Sequence, residues 1–91
     1  MSTEIKYDIN HMDEIILQYK QCADSVALAI SDLDGIKTSF IANYKGQAND
    51  TSLDLYDKLK EHMVFLQDCF SQMETYVTYA KDTMIDADSI L

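Results

Sequence analysis

Apolar residues recur at steps of three and four along nearly the whole chain, with one break near the middle. Before the break the stripe runs Ile9, Met12, Ile16, Tyr19, Ala23, Val26, Ile30, Leu33 and Phe40, with Lys37 its single polar intruder. After it the rhythm resumes through Tyr56, Leu59, Met63, Leu66, Phe70, Met73, Val77, Ala80, Met84, Ala87 and Leu91. Such spacing puts every stripe residue on one side of an α-helix, whereas a half-buried strand alternates at every second residue. A heptad-type pattern sustained through both halves predicts two long helices and an all-α class.

The break around Tyr44-Lys45-Gly46-Gln47-Ala48-Asn49-Asp50 then reads as a reversal, giving an antiparallel two-helix hairpin. The expected organisation is a single domain over residues 1–91, with helix one over about 8–43, a turn over about 44–49 and helix two over about 50–88. Asp8 or Asn10 can cap helix one, and Asp50 or Thr51 can cap helix two, with Asp54 completing a weak capping box. Gly46 supplies the backbone freedom a reversal needs. Gly35 falls inside helix one, where it costs about 1 kcal/mol relative to alanine. The heptad phase crosses it from Leu33 to Phe40, so it is a tolerated glycine rather than a break.

Folding the chain about that turn brings Val26 level with Leu66, Tyr19 near Met73, Ala23 near Phe70 and Met12 near Ala80. The predicted seam pairs Ile16, Tyr19, Val26, Ile30, Leu33 and Phe40 with Leu59, Met63, Leu66, Phe70, Met73 and Val77. A second apolar row lies beside it, through Ile15, Cys22, Ala29 and Ile36 on helix one. Its counterpart on helix two holds Leu55, Cys69 and Tyr76, with His62 among them. Two helices cover one narrow seam, and a broader apolar face asks for more helices. The second row, with Phe65, is therefore the predicted partner interface, and the expected assembly is a four-helix bundle completed by dimerisation with a second copy or another helical protein. Phe65 and Tyr79, off the main seam, are candidates for contact with a third component.

Composition narrows the partner. The formal net charge is -9 over 91 residues, all seven basic residues are scattered lysines, and proline is absent. Phosphate recognition needs clustered cations, so nucleic acid is excluded as a partner, and an anionic membrane repels such a surface. No segment has the length of an apolar membrane span, and the start, Met-Ser-Thr-Glu-Ile-Lys-Tyr-Asp, lacks the features of a secretory leader. The expectation is a cytoplasmic protein, or one exported by a leaderless route.

Candidate chemistry adds nothing catalytic. Asp32-Leu33-Asp34-Gly35 has the look of part of a calcium loop, but placing Gly35 at the sixth position puts Ile30 and Ile41 where ligands belong. His11 and His62 lack companions at metal-ligand spacing. Cys22 and Cys69 fall at similar heights, where either a cross-helix disulfide or two buried thiols is compatible with sequence. The expectation is no enzyme, no metal and no cofactor.

Tyr44-Lys45-Gly46, midway between two long amphipathic helices, resembles the Trp-X-Gly turn of the WXG family, the ESAT-like proteins of about a hundred residues handled by type VII secretion. The resemblance covers essentially the whole chain: length, leaderless start, turn, Ala48 and both heptad arms. Tyr44 stands where that family has tryptophan, an aromatic placed to wedge between the helix ends beside Gly46. The family's tail signal, Tyr-X-X-X-Asp/Glu, is absent in that form, since Tyr79 is followed by Asp82 at three residues and Thr83 at four. Tyr79 and Asp82 still share a helix face and form the candidate secretion signal. The chain is also similar to the small helical partners of LXG toxins in Gram-positive bacteria, which pair with the toxin's amino-terminal region and help target it to the secretion machinery. The resemblance thus implies a secreted or targeting role, with a self-paired homodimeric effector or a generic cytoplasmic helical adaptor as the alternatives.

Overall fold

The structure, a computed structural model, describes residues 2–44 and 47–90, the side chains of 47–49 and 90 excepted. Two helices account for nearly all of it: α1 is Thr3–Asn43 and α2 is Gln47–Ile90. They lie antiparallel along a rod measuring 68 × 14 × 12 Å between Cα positions. The all-α hairpin read from the heptads is the fold observed.

Helix one starts earlier than Asp8. Ser2 is its N-cap, with Oγ accepting the Ile5 amide proton at 3.1 Å. Glu4 then places a negative charge in the first turn, where it faces the positive end of the helix dipole. Asp8 and Asn10 lie inside the helix and cap nothing. The same correction applies to helix two: it has begun by Gln47, so Asp50 and Thr51 sit within it, and the turn expected over 44–49 is cut short. Gly46, like Lys45 and Leu91, lies outside the described residues.

Gly35 is helical, as its neighbours' phase required, and a Cβ built there meets nothing within 4 Å. Gly35→Ala is expected to raise stability by about 1 kcal/mol, because alanine removes unfolded-state freedom without a clash. A rise in the urea midpoint at unchanged slope checks this, and an unchanged midpoint refutes it.

Only one described side chain is buried. Tyr56, 9% exposed, packs against α1 near the turn. A hairpin this thin leaves every other described side chain half-buried or exposed.

Candidate interaction surface

The face that α1 presents to α2 follows the predicted stripe. Ile9, Met12, Ile16, Tyr19, Ala23, Val26, Ile30, Leu33 and Phe40 are all half-buried. Lys37, the intruder, is half-buried too, because its stem lies along the seam and its ammonium sits 4.6 Å from the Tyr56 ring centroid. The same ammonium approaches Asp57 at 3.9 Å.

Helix two departs from the sequence reading. Met63, Phe70 and Val77 are half-buried as predicted, but Leu59, Leu66 and Met73 are 48%, 45% and 42% exposed. Lys60, Gln67, Glu74 and Lys81, one residue later in each heptad, are half-buried. Helix two is therefore rolled so that α1 meets one edge of its apolar stripe and the polar row beyond. The cause is in α1, whose Asp13, Lys20 and Asp34 offer partners of opposite charge to that row. Lys81 Nζ donates to Asp13 at 2.8 Å, Lys60 Nζ to Asp34 at 3.0 Å, and Lys20 pairs with Glu74 at 3.7 Å. The Tyr56 hydroxyl also donates to Asp34. Such exposed pairs contribute little net stability, but their alternating sign along the rod fixes the register of one helix against the other.

The hydrogen bond from Lys81 to Asp13 holds that ammonium above its ordinary 10.5, aided by the nearby charges of Asp13 and Asp82 and opposed by desolvation. A raised lysine value means that its contribution to stability is complete below pH 10.5 and is lost as pH rises through the raised value. Unfolding midpoints measured across that alkaline range are expected to fall for the native chain more than for Lys81→Gln, and parallel curves would contradict the assignment.

One flank of the rod is thus polar and tied. The other is apolar and open. Ile36, Leu55 and Leu59 line a groove there with Leu33, Phe40 and Tyr56, and Cys22, Val26 and Phe70 line a second stretch further along. Ile36, Leu55 and Tyr76 are 64%, 62% and 65% exposed, while Ile15, Cys22 and Cys69 are half-buried. The rows that sequence separated as partner interface therefore join Leu59, Leu66 and Met73, which sequence had placed inside. Phe65 and Tyr79, exposed by 68% and 70%, stand further round α2 at the rim of this flank.

Tyr44 does not wedge between the helix ends. Its backbone is extended, its N–H closes α1 onto the Phe40 carbonyl at 2.9 Å, and its ring stacks on Phe40 at 4.8 Å while staying exposed. Residues 32–35 belong to a continuous helix and cannot form a calcium loop; Asp34 is occupied by Tyr56 and Lys60 instead. His11 stacks on Tyr7 and lies 3.7 Å from Glu14. Among the described residues no group of three or more potential metal ligands occurs, and no helix is long and apolar enough to cross a membrane. Cys22 and Cys69 are both free thiols.

This geometry defines a class: a long all-α hairpin with one flank zipped by charge and the other left apolar. Within that class the WXG100 family, proteins of 100 residues with WXG, has a profile that matches residues 4–89. The chain belongs to that family, which is associated with type VII secretion. No curated protein and no solved structure gives a significant match.

Proposed function

We propose that this protein is a non-enzymatic secretion-associated adaptor that docks another helical chain on its open flank and so completes a four-helix bundle. The observation that carries the reading is the asymmetry of the hairpin. Six large apolar residues (Ile36, Leu55, Leu59, Leu66, Met73 and Tyr76) are 42–65% exposed on one side, while ion pairs bridge the helices on the other. Contiguous apolar surface of that extent on a soluble chain marks an interaction site. Its length and straightness fit an amphipathic helix pair better than a compact ligand.

The partner in this reading is the helical amino-terminal region of an LXG-type toxin. The motif Tyr-X-X-X-Asp/Glu does not occur in these 91 residues, and in this reading the other member of the pair carries the export signal. Tyr79 and Asp82, together with Phe65, then contribute rim contacts to the secretion machinery. Membership of a family associated with type VII secretion supports the secretion-linked role.

Light scattering on a sizing column tests it, with the chain alone and co-expressed with such a toxin region. A defined one-to-one complex is the expected result; two separately eluting species would reject the toxin as partner. The Phe65→Ala/Tyr79→Ala double variant is expected to retain helicity and the one-to-one complex but lose export at least tenfold. Unchanged export would remove both residues from the machinery contact.

A further inference from the structure

A second stripe runs along α2 on the side turned away from α1, and it takes no part in the seam. From Glu61, steps of four and three lead through Phe65 and Asp68 and on to Tyr79, Asp82 and Asp86. Gln72 and Thr75 fill the steps between, so the spacing is heptad throughout and these positions share one face of the helix. All of them are exposed. At about 1.5 Å per residue the stripe is on the order of 40 Å long.

Its make-up differs from that of the seam. Phe65 and Tyr79 are among the most exposed large side chains of the described residues. The four carboxylates form no ion pair among the described residues, whereas Asp13, Asp34 and Glu74 beside the seam are each paired with a lysine. α2 has no lysine between Lys60 and Lys81, and both of those turn to α1. Asp82 and Asp86 stand four apart, where like charges repel, and they approach the negative end of a helix whose last turn holds no basic residue. The Lys81 ammonium, which feels the Asp82 charge, is already bonded to Asp13.

Shape and charge select the occupant. The stripe is a narrow line whose two rings lie two heptads apart, so a compact ligand reaches one ring, while a helix laid along it reaches both. Its carboxylates repel nucleic acid and anionic lipid alike. They are strung out rather than gathered, and no group of three or more potential metal ligands occurs among the described residues. A cationic helix fits, and arginine suits both kinds of position. Its guanidinium bonds a carboxylate through two parallel donors and also stacks on an aromatic ring. Midway between the rings, Asp68, Ser71, Gln72 and Thr75 line an open cavity of about 310 Å³, which admits one such side chain beside the Asp68 carboxylate.

We propose that this outer face of α2 is a second docking surface, and that its occupant is a helix presenting arginines at heptad spacing. The proposal rests on the reading of Phe65 and Tyr79 as contacts for a third component, and it is independent of what covers the open flank. Because the stripe lies further round α2 than Leu59, Leu66 and Met73, both surfaces can be occupied at once.

The test is fluorescence anisotropy, with the full chain titrated into a labelled helical peptide that carries arginine at heptad positions, at physiological ionic strength. The native chain is expected to bind it. Phe65→Ala/Tyr79→Ala and Asp68→Asn/Asp82→Asn are each expected to weaken binding at least about tenfold. Any cationic peptide is drawn to a net charge of -9, so Asp24→Asn/Asp32→Asn removes the same charge from α1 and should leave the affinity unchanged. A lysine version of the peptide should bind more weakly, since an ammonium lacks the planar fork. No binding by the native chain overturns the proposal. An equal loss in the α1 control also overturns it, because the attraction would then be general. So does undiminished binding of a peptide with leucine in place of arginine, which would make the occupant apolar. The stripe variants are expected to keep the one-to-one complex with the toxin region, and losing it would merge the stripe with the open flank and end its standing as a second surface. If the native chain and the toxin region elute separately while the peptide still binds, the toxin reading falls and this one stands.

Discussion

Leu66→Asp is expected to convert the assembled protein into folded monomers. Leu66 is 45% exposed in the single hairpin and belongs to the open flank, between Leu59 and Met73. In the isolated chain the new carboxylate remains hydrated, so the helices persist and the circular dichroism spectrum changes little. In any flank-to-flank assembly the same carboxylate loses its water near the middle of an apolar surface, without a cation to receive it. An unpaired buried charge costs several kcal/mol. A loss of about 4 kcal/mol weakens binding roughly a thousandfold. Mass by light scattering at matched concentration reads the effect directly, for a self-pair and the toxin complex alike. Phe70→Asp is the contrasting variant. Phe70 is half-buried against Tyr19, so a charge there disrupts the hairpin itself and helicity falls. Were Leu66→Asp to keep the mass of the native assembly, the open flank would not be the interface.

That contrast was only partly legible in the sequence. Periodicity located the apolar stripe of each helix, because burial of one side is what a heptad pattern records. It paired Tyr19 with Met73 and Ala23 with Phe70, whereas in the structure the Tyr19 ring lies 6.3 Å from that of Phe70. It did not say which edge of a wide stripe faces which neighbour. On α2 the stripe is broad enough to serve two seams, and the sequence reading assigned Leu59, Leu66 and Met73 to the inner one. What decides the roll is a set of long-range charge pairs, Lys60 with Asp34, Glu74 with Lys20 and Lys81 with Asp13. Each pairs residues far apart in the chain, so no local window contains the signal. Long lysine stems also cover apolar surface while their ammonium groups reach water, which disguises seam positions as surface ones. The start of α1 was missed for a simpler reason. Ser2 is a strong cap, yet the apolar rhythm that marks the helix begins only further along. For the candidate site, the sequence set a second apolar row apart from the seam, and in the structure Leu59, Leu66 and Met73 of that seam are exposed as well.

Tyr56 is where the hairpin is expected to be most sensitive. It is the single buried side chain among the described residues, and three kinds of contact converge on it. Its ring packs between the helices, the ammonium groups of Lys37 and Lys60 lie 4.6 Å and 5.8 Å from its centroid, and its hydroxyl donates to Asp34. Truncation to alanine deletes the largest piece of buried surface in a fold with almost no other interior. Large-to-small changes of buried aromatics cost about 3–5 kcal/mol, and this site lies at the lower end because its surroundings are open. About 3 kcal/mol corresponds to a fall in melting temperature of at least roughly 12 °C for a chain of this size. Tyr56→Phe separates the contributions: it keeps the ring between the two lysines and removes only the hydroxyl, costing about 1 kcal/mol. Both variants are best measured in the Leu66→Asp background, where unfolding is unimolecular and assembly does not feed into the midpoint. If Tyr56→Ala cost no more than Tyr56→Phe, the ring would contribute nothing, and the hairpin would be held by the rest of its half-buried seam. A cost near 3 kcal/mol for alanine against about 1 for phenylalanine would instead make the aromatic clamp beside the turn the main anchor of the hairpin. The ion-pair row would then serve chiefly to roll α2 and leave its apolar edge free for a second helix pair.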